Sequence, residues 1–412
     1  MLIQELFRSR LTERYPALEG SVGGEESNTI ACASSAGGAE TEDVTIAICS
    51  DVMQTAALLA RALPPSELGL GVARRLAEIV HGTAELGQRH QAEGAAAGGG
   101  AAAAPDTAGE DASARSALRR DGLFDRQVAV GSLGLWIDPL DGTNEFIGPH
   151  ADEVQCGASG IYPGGLPVVT VLIGVYDIKS GVPLAGVVNQ PFWRKRADTA
   201  TAETGAGGGV EASCAGAAAW QGRHFWGVSL GDGLKSHSEM PALPATAASA
   251  EVPMLSVASS SESAPLRREL SALGALHTPA GAGYKLLCVV MGVADAYVLS
   301  KSSTYKWDTC APHAILNAIG GVACSYRQLP SPAAAGASAA AASATVTSGA
   351  VSCAEDVRLD TKRQILYNHQ DCNADSWKNS CGLIMCGRRV ACDDALLARL
   401  HAAINSAAAA QQ

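Results

Sequence analysis

Apolar positions recur at helical spacing in the opening stretch MLIQELFRSRLTERYPALEG, where Leu2, Leu6 and Leu11 are interleaved with acidic Glu5 and Glu13. The pattern predicts a folded helix and not a transit peptide. Two further helices are expected after Asp51, DVMQTAALLARAL and LGVARRLAEIVHGTAEL, separated by Pro64-Pro65, which stops the first. From Gly157 the pattern turns to strands. LPVVTVLIGVYDI, SGVPLAGVVNQPF and HFWGVSL are β-branched runs broken by Gly, Pro and Ser, and Lys179-Ser180-Gly181 reads as the hairpin turn between the first two. Further on, MLSVASSS, PLRRELSALGAL, GYKLLCVVMGVADAYVLS and DTCAPHAILNAIGG alternate strand with helix, as a second α/β lobe does.

Four stretches offer too little side chain to build a core and read as surface insertions: AEGAAAGGGAAAA from Ala92, TATAETGAGGGVEASCAGAAA from Thr199, PALPATAASA from Pro241 and SPAAAGASAAAASATVTSGA from Ser331. The expected organisation is an N-terminal α+β lobe over 1–230, with a helical insertion at about 50–91, and a C-terminal α/β lobe over 231–412, with an Ala/Ser-rich insertion at about 331–350. The boundary falls near Gly231. A chain of 412 residues is long enough to bury a large core in two such lobes.

The formal net charge of −11 argues against a nucleic-acid surface, because such affinity rests on Lys and Arg neutralising phosphates. The same acidity is compatible with a divalent-metal protein and equally with ordinary solubility charge. The twelve cysteines lack the paired spacing of a zinc site and are expected to be mostly buried thiols. With no secretory signal and no apolar run of bilayer length, a soluble, reducing, cytoplasmic setting without membrane contact is expected, with a monomer favoured.

The stretch LWIDPLDGTNEFI, Leu135 to Ile147, carries the first chemistry. Asp138 emerges at the carboxyl end of an expected buried strand, Pro139 is expected to force a turn, and the Leu140 carbonyl can then face the same place as Asp138 and Asp141. Gly142 and Thr143 open a short helical turn whose free N–H groups attract anions. Two carboxylates this close repel unless a proton or cation lies between them, and Mg²⁺ is the simplest such cation. The bland alternative is an ordinary turn with a capping Asp. Glu25 and Glu26 in GGEES form a paired acid in a Gly loop, which alone reads as a solvated turn or as ligands. Asp308 begins the helix of YKWDTCAPHAILNAIGG and is either an N-cap or a further ligand, its burial suggested by Trp307. In TPAGAGYKLL the small residues Ala280, Gly281, Ala282 and Gly283 let a ligand approach the backbone, and Lys285 can meet a phosphate or hydroxyls. His313 is expected to pack or face solvent, not to bind metal.

Taken in order, GEES, WIDPLDGT and WDTCAPHAILNAIGG resemble the three signature blocks of the lithium-inhibited, magnesium-dependent phosphatases, which include inositol monophosphatase, the bisphosphate nucleotidases and fructose-1,6-bisphosphatase. GVYDIKSGVPLAGVVNQPF, GAGYKLLCVV and the late SWKNSCGLI are similar to the inositol polyphosphate 1-phosphatase branch. The resemblance implies a layered αβαβα sandwich of the sugar-phosphatase type with the site between the lobes. It implies two or three Mg²⁺ ions held by Glu25, Glu26, Asp138, the Leu140 carbonyl, Asp141 and Asp308, with Li⁺ as an inhibitor. Most of these ligands lie in the N-terminal lobe. Glu25 and Thr143 would activate the attacking water, the amides of Gly142 and Thr143 would cradle the phosphate, and Asp141 with Asp308 would help the leaving group. Ala280 to Gly283, Lys285 and Glu262 would meet the rest of the substrate.

The implied reaction is removal of the 1-phosphate from inositol 1,4-bisphosphate, and from inositol 1,3,4-trisphosphate, in phosphatidylinositol signalling. The alternatives are a 3'(2'),5'-bisphosphate nucleotidase, or a homologue that binds inositol phosphates with weakened turnover. Two departures stand out. The family places another acidic metal ligand on the helix before the Glu-Glu turn; here that helix begins Met1-Leu2-Ile3-Gln4, and Glu5 is in the wrong phase to replace it, so a truncated start or weakened metal binding is expected. Ser263 stands where a basic residue for a second phosphate is expected, with Arg267 and Arg268 as substitutes.

Overall fold

Strand alternation decides the layers. The computed structural model describes residues 1–33, 41–63, 69–82, 107–148, 154–195, 220–230, 233–241, 253–326, 365–368 and 377–410. In the N-terminal part, helix α1 (Leu2–Arg14) leads into β1 (Val22–Gly24), followed by the antiparallel pair β2 (Thr29–Ala33) and β3 (Thr41–Thr45). Helices α2 (Val52–Ala62), α3 (69–82) and α4 (Thr107–Arg120) come next, α2 being capped by Asp51, which accepts from the Gln54 amide at 2.9 Å. Then come β4 (Leu133–Asp141), α5 (Thr143–Ile147), β5 (Thr170–Asp177), β6 (Pro183–Lys195), β7 (Trp220–Ser229) and β8 (Lys235–His237). The C-terminal part runs β9 (Met254–Ala258), α6 (Ala264–Leu273), β10 (Gly274–His277), α7 (Ala282–Val290), β11 (Ala296–Leu299), α8 (Lys306–Ile319), β12 (Val322–Ser325), β13 (Leu383–Cys386) and a helix over Asp394–Ala409.

The first sheet has the order β1-β4-β5-β6-β7-β8, antiparallel apart from the parallel β1–β4 pair. The second has the order β10-β9-β11-β13-β12 and is mixed. Tyr297, Leu299, Leu383 and Met385 face one core together with α7, α8 and the first sheet, whereas Ala296, Val298, Ile384 and Cys386 face a second core with α6 and the C-terminal helix. On the far side of the first sheet, Phe7 and Leu11 of α1 pack against Leu135 and Ile137. Helix, sheet, helix, sheet and helix are therefore stacked in that order, which is the expected αβαβα sandwich.

Three glycines let α8 lie on the first sheet. Gly174, Gly186 and Gly227 are opposite one another on β5, β6 and β7. A Cβ on any of them would run into Ala311 or Ile315 backbone atoms of α8. The close contact drives Ile315, Leu316 and Ala311 into the shared core.

Several expectations need correction or placement. Pro139 does not end β4: the strand continues to Asp141, and the missing N–H is absorbed as a register shift against β5 between Asp138 and Asp141. Among the described cysteines, half are buried thiols. Cys288, Cys310, Cys324 and Cys386 are buried, but Cys156, Cys381 and Cys392 are exposed in connecting segments, and Cys49 is half-buried. His313 is fully buried on α8, its Nδ1 3.1 Å from the Tyr367 hydroxyl, and burial lowers its pKa to about 3. Pro64-Pro65, the Ala92, Thr199 and Ser331 stretches and all but the first residue of the Pro241 stretch lie outside the described residues. No described helix is long and apolar enough to cross a membrane.

Candidate active site

β4 and α8 bring the acids together. Asp138 and Asp141 stand at the end of β4 and Asp308 in the first turn of α8; each is buried, and each offers an oxygen within 4.8 Å of the others. The bulge after Asp138 does the aiming. It turns the Leu140 amide back onto Asp138 Oδ1, at 3.0 Å, so that Asp138 and Asp141 converge instead of facing opposite sides of the strand. Asp308 also accepts the Tyr305 amide at 2.8 Å, so it is a cap and a member of the cluster at once.

Glu25 joins from the turn after β1. Its amide donates to the Ile137 carbonyl at 3.2 Å, tying the turn to β4, and its carboxyl interacts electrostatically with Asp138, as Asp138 does with Asp308. Burial raises the pKa of Asp138, Asp141, Asp308 and Glu25, and the neighbouring acids raise all of them except Asp141, for which Thr170, Lys285 and the amides of Gly283 and Ala282 act in the opposite direction. Neither Glu25 nor Glu26 is in the group packed within that distance; the Glu26 side chain is 37% exposed and pairs with the Met1 ammonium at 3.6 Å.

Asp141 is held from three sides. Thr170 Oγ1 donates to Oδ2 at 3.1 Å, the Gly283 amide to the same oxygen at 2.9 Å, and the Ala282 amide to Oδ1 at 3.1 Å. The last two are the open amides at the start of α7, so the C-terminal lobe grips a carboxylate of the N-terminal one. Gly281 has φ of 72°, and a Cβ on Gly281 or Gly283 would press on Asp141 Oδ2. Lys285, one turn on, is buried and donates to the Gly281 carbonyl at 2.9 Å; burial lowers its pKa, and Asp141 opposes that. Its ammonium is influenced by the carboxyls of Asp141, Asp308 and Glu145.

Gly142 adopts φ of 86° and starts α5, where the exposed Thr143 hydroxyl donates to the Leu140 carbonyl at 3.0 Å. Ala280 donates its amide to the Pro163 carbonyl at 3.0 Å, which fixes the loop before α7. Glu262 is buried and spends both oxygens on Ser300, its amide at 3.0 Å and its hydroxyl at 2.5 Å. Ser263 caps α6 through the Leu266 amide, and Arg267 and Arg268 are exposed on that helix, Arg268 paired with Glu269 at 3.4 Å. Two contributors were not singled out from sequence: Thr170, which bonds Asp141, and Gln4, which holds the Glu25–Glu26 turn.

The donor set fits a hard divalent cation. Buried carboxylate oxygens from two lobes, with more negative charge than Lys285 can offset, are what Mg²⁺ takes as ligands.

The inositol monophosphatase family model matches residues 106–358. Inositol polyphosphate 1-phosphatase of Mus musculus is 32% identical over 332 residues, covering 78% of this chain and 69% of that protein. The Homo sapiens protein of the same name is 33% identical over 334 residues, with the same shares. 3'(2'),5'-bisphosphate nucleotidase 1 of Homo sapiens is 34% identical over 196 residues, 46% of this chain and 48% of that protein. With the acidic cluster in place and the match spanning both lobes, the chain belongs to the inositol monophosphatase family.

Proposed function

We propose that this phosphatase is a Mg²⁺-dependent phosphomonoesterase that removes the 1-phosphate of inositol 1,4-bisphosphate and of inositol 1,3,4-trisphosphate. The observation that carries the reading is the convergence of Asp138, Asp141 and Asp308, with Glu25 electrostatically linked to them from the turn after β1 and the start of α5 at Gly142 and Thr143 directly after Asp141. The substrate choice is supported by relatives named for inositol polyphosphate hydrolysis, which match 78% of the chain, against 46% for the bisphosphate nucleotidase.

In this reading Asp138, Asp141, Asp308, Glu25 and the Leu140 carbonyl hold the metal, with Glu26 at the rim. Bound Mg²⁺ supplies Lewis-acid stabilisation of charge on the phosphoryl oxygens and acidifies the attacking water. Thr143 donates its proton to Leu140, which leaves its oxygen lone pairs free to accept a hydrogen bond from that water. Glu25, its pKa raised by burial, takes the other proton. The Gly142 and Thr143 amides orient the phosphate for in-line attack. Lys285 and the backbone of Ala280 to Gly283 line the inositol side, and Glu262 shapes it through Ser300.

Phosphate release at saturating Mg²⁺ tests the assignment. Inositol 1,4-bisphosphate is expected to turn over well above adenosine 3',5'-bisphosphate, and Asp141→Ala to abolish release while leaving the circular dichroism spectrum nearly unchanged. The reverse preference would make the chain a nucleotidase, and Mg²⁺ binding without turnover of either would make it a non-catalytic binder.

A further inference from the structure

Gln4 sits on α1 with 1% of its surface exposed, and its side-chain hydrogen bonds leave its own helix. Its Nε2 donates to the Glu26 carbonyl at 2.7 Å, and the Glu26 amide donates back to its Oε1 at 3.0 Å. A primary amide presents one donor and one acceptor side by side, so it pairs with the main chain of a single residue as a neighbouring strand would. On the other side of the same turn, the Glu25 amide is tied to the Ile137 carbonyl of β4 at 3.2 Å. Gly24 completes the packing: a Cβ there would strike both Gln4 Oε1 and the Ile137 carbonyl. Glu25 is therefore carried on a turn clamped between β4 and Gln4.

We infer that Gln4 is a positioning residue for metal binding, a neutral clamp that fixes the Glu25–Glu26 turn so that the Glu25 carboxyl is aimed at Asp138. The inference rests on the reading of the acidic cluster as a metal site. Neutrality matters to the design. A carboxylate at this position would still accept from the Glu26 amide, but it would face the Glu26 carbonyl without a donor and add negative charge beside four carboxyls. An apolar side chain of similar size would leave both main-chain groups of Glu26 unpaired.

The test is Mg²⁺ affinity measured calorimetrically on phosphate-free protein, with metal-free melting curves alongside. Groups that orient metal ligands typically contribute about tenfold or more to affinity, and that loss is expected for both Gln4→Leu and Gln4→Glu. Ser236→Ala removes a half-buried hydrogen bond to Asp121, 2.7 Å long and at the far edge of the first sheet from β4, and is expected to lower the melting temperature while keeping Mg²⁺ affinity. That control separates clamping from general destabilisation. Should Gln4→Leu fail to fold, the isosteric Gln4→Glu carries the decision. Asp138→Asn marks the metal site itself. If it loses Mg²⁺ while the Gln4 variants bind as the parent does, the clamp is overturned and the metal reading stands. If Asp138→Asn binds Mg²⁺ unchanged, the metal reading falls first.

Discussion

Asp141 serves two elements with one carboxylate. It closes the acidic cluster at the end of β4 and at the same time accepts the first amides of α7, so any movement of α7 is felt at the acidic cluster. The small residues of TPAGAGYK read from sequence as room for a ligand. For Gly283 the structure supplies a nearer cause, since a Cβ there would lie 2.5 Å from Thr170 Oγ1 and 3.0 Å from Asp141 Oδ2. Gly283→Ala should displace Asp141, lowering kcat/KM for the inositol bisphosphate by about tenfold and raising the Mg²⁺ concentration needed for half-maximal rate. Unchanged Mg²⁺ dependence in that assay would mean that Asp141 tolerates the intrusion and that the glycine serves substrate alone. Asp138, Asp141 and Asp308 were legible in the sequence because each follows a local strand or helix signal. Gln4 and Thr170 were not, because their partners are 22 and 29 residues away and neither residue type is unusual where it stands.

At the scale of elements, most boundaries follow from periodicity and caps. The hairpin at Lys179-Ser180-Gly181 is where it was expected, with Gly181 at φ of 75° and Asp177 accepting from the Ser180 amide at 2.7 Å. The helix that begins at Lys306 ends at Gly320 in the left-handed conformation, as the Gly-Gly pair suggested. What periodicity could not show is how closely α8 approaches the first sheet. The three facing glycines are scattered through β5, β6 and β7, and only strand register reveals them as one row. Because α8 carries Asp308, this row also sets how far Asp308 lies from Asp138. Gly186→Val would force a branched side chain against Ala311 backbone and is expected to cost about 1–3 kcal/mol in a urea melt, with weaker Mg²⁺ binding as a secondary effect. A melt indistinguishable from the parent would show that α8 is free to move out. Pro139 is the opposite case: the residue was legible, but its consequence was misread as a turn, since a proline near a strand end is also accommodated by a bulge.

Across the whole molecule, two lobes meet on charges that neither could bury by itself. Without metal, burial and the neighbouring acids hold Asp138 and Asp308 above the ordinary carboxylate pKa of about 4, and burial does the same for Asp141. The folded chain therefore keeps protons there that the unfolded chain has released. The stability linked to those protons is complete below the unfolded value and is lost as pH rises through the raised folded values. A bound cation favours the ionised form and stabilises only the folded state, so its benefit should grow with pH. The layered fold was readable from sequence because helix and strand alternate; the shared charge between lobes was readable only as separate acids.

The most direct measurement is the melting temperature against pH from about 5 to 8, taken with and without saturating Mg²⁺. Convergence of buried carboxyls on a hard cation predicts a metal-free curve that declines as pH rises, a Mg²⁺-dependent gain that widens over the same range, and loss of that gain in Asp138→Asn. Curves that superimpose with and without Mg²⁺ at every pH would contradict it.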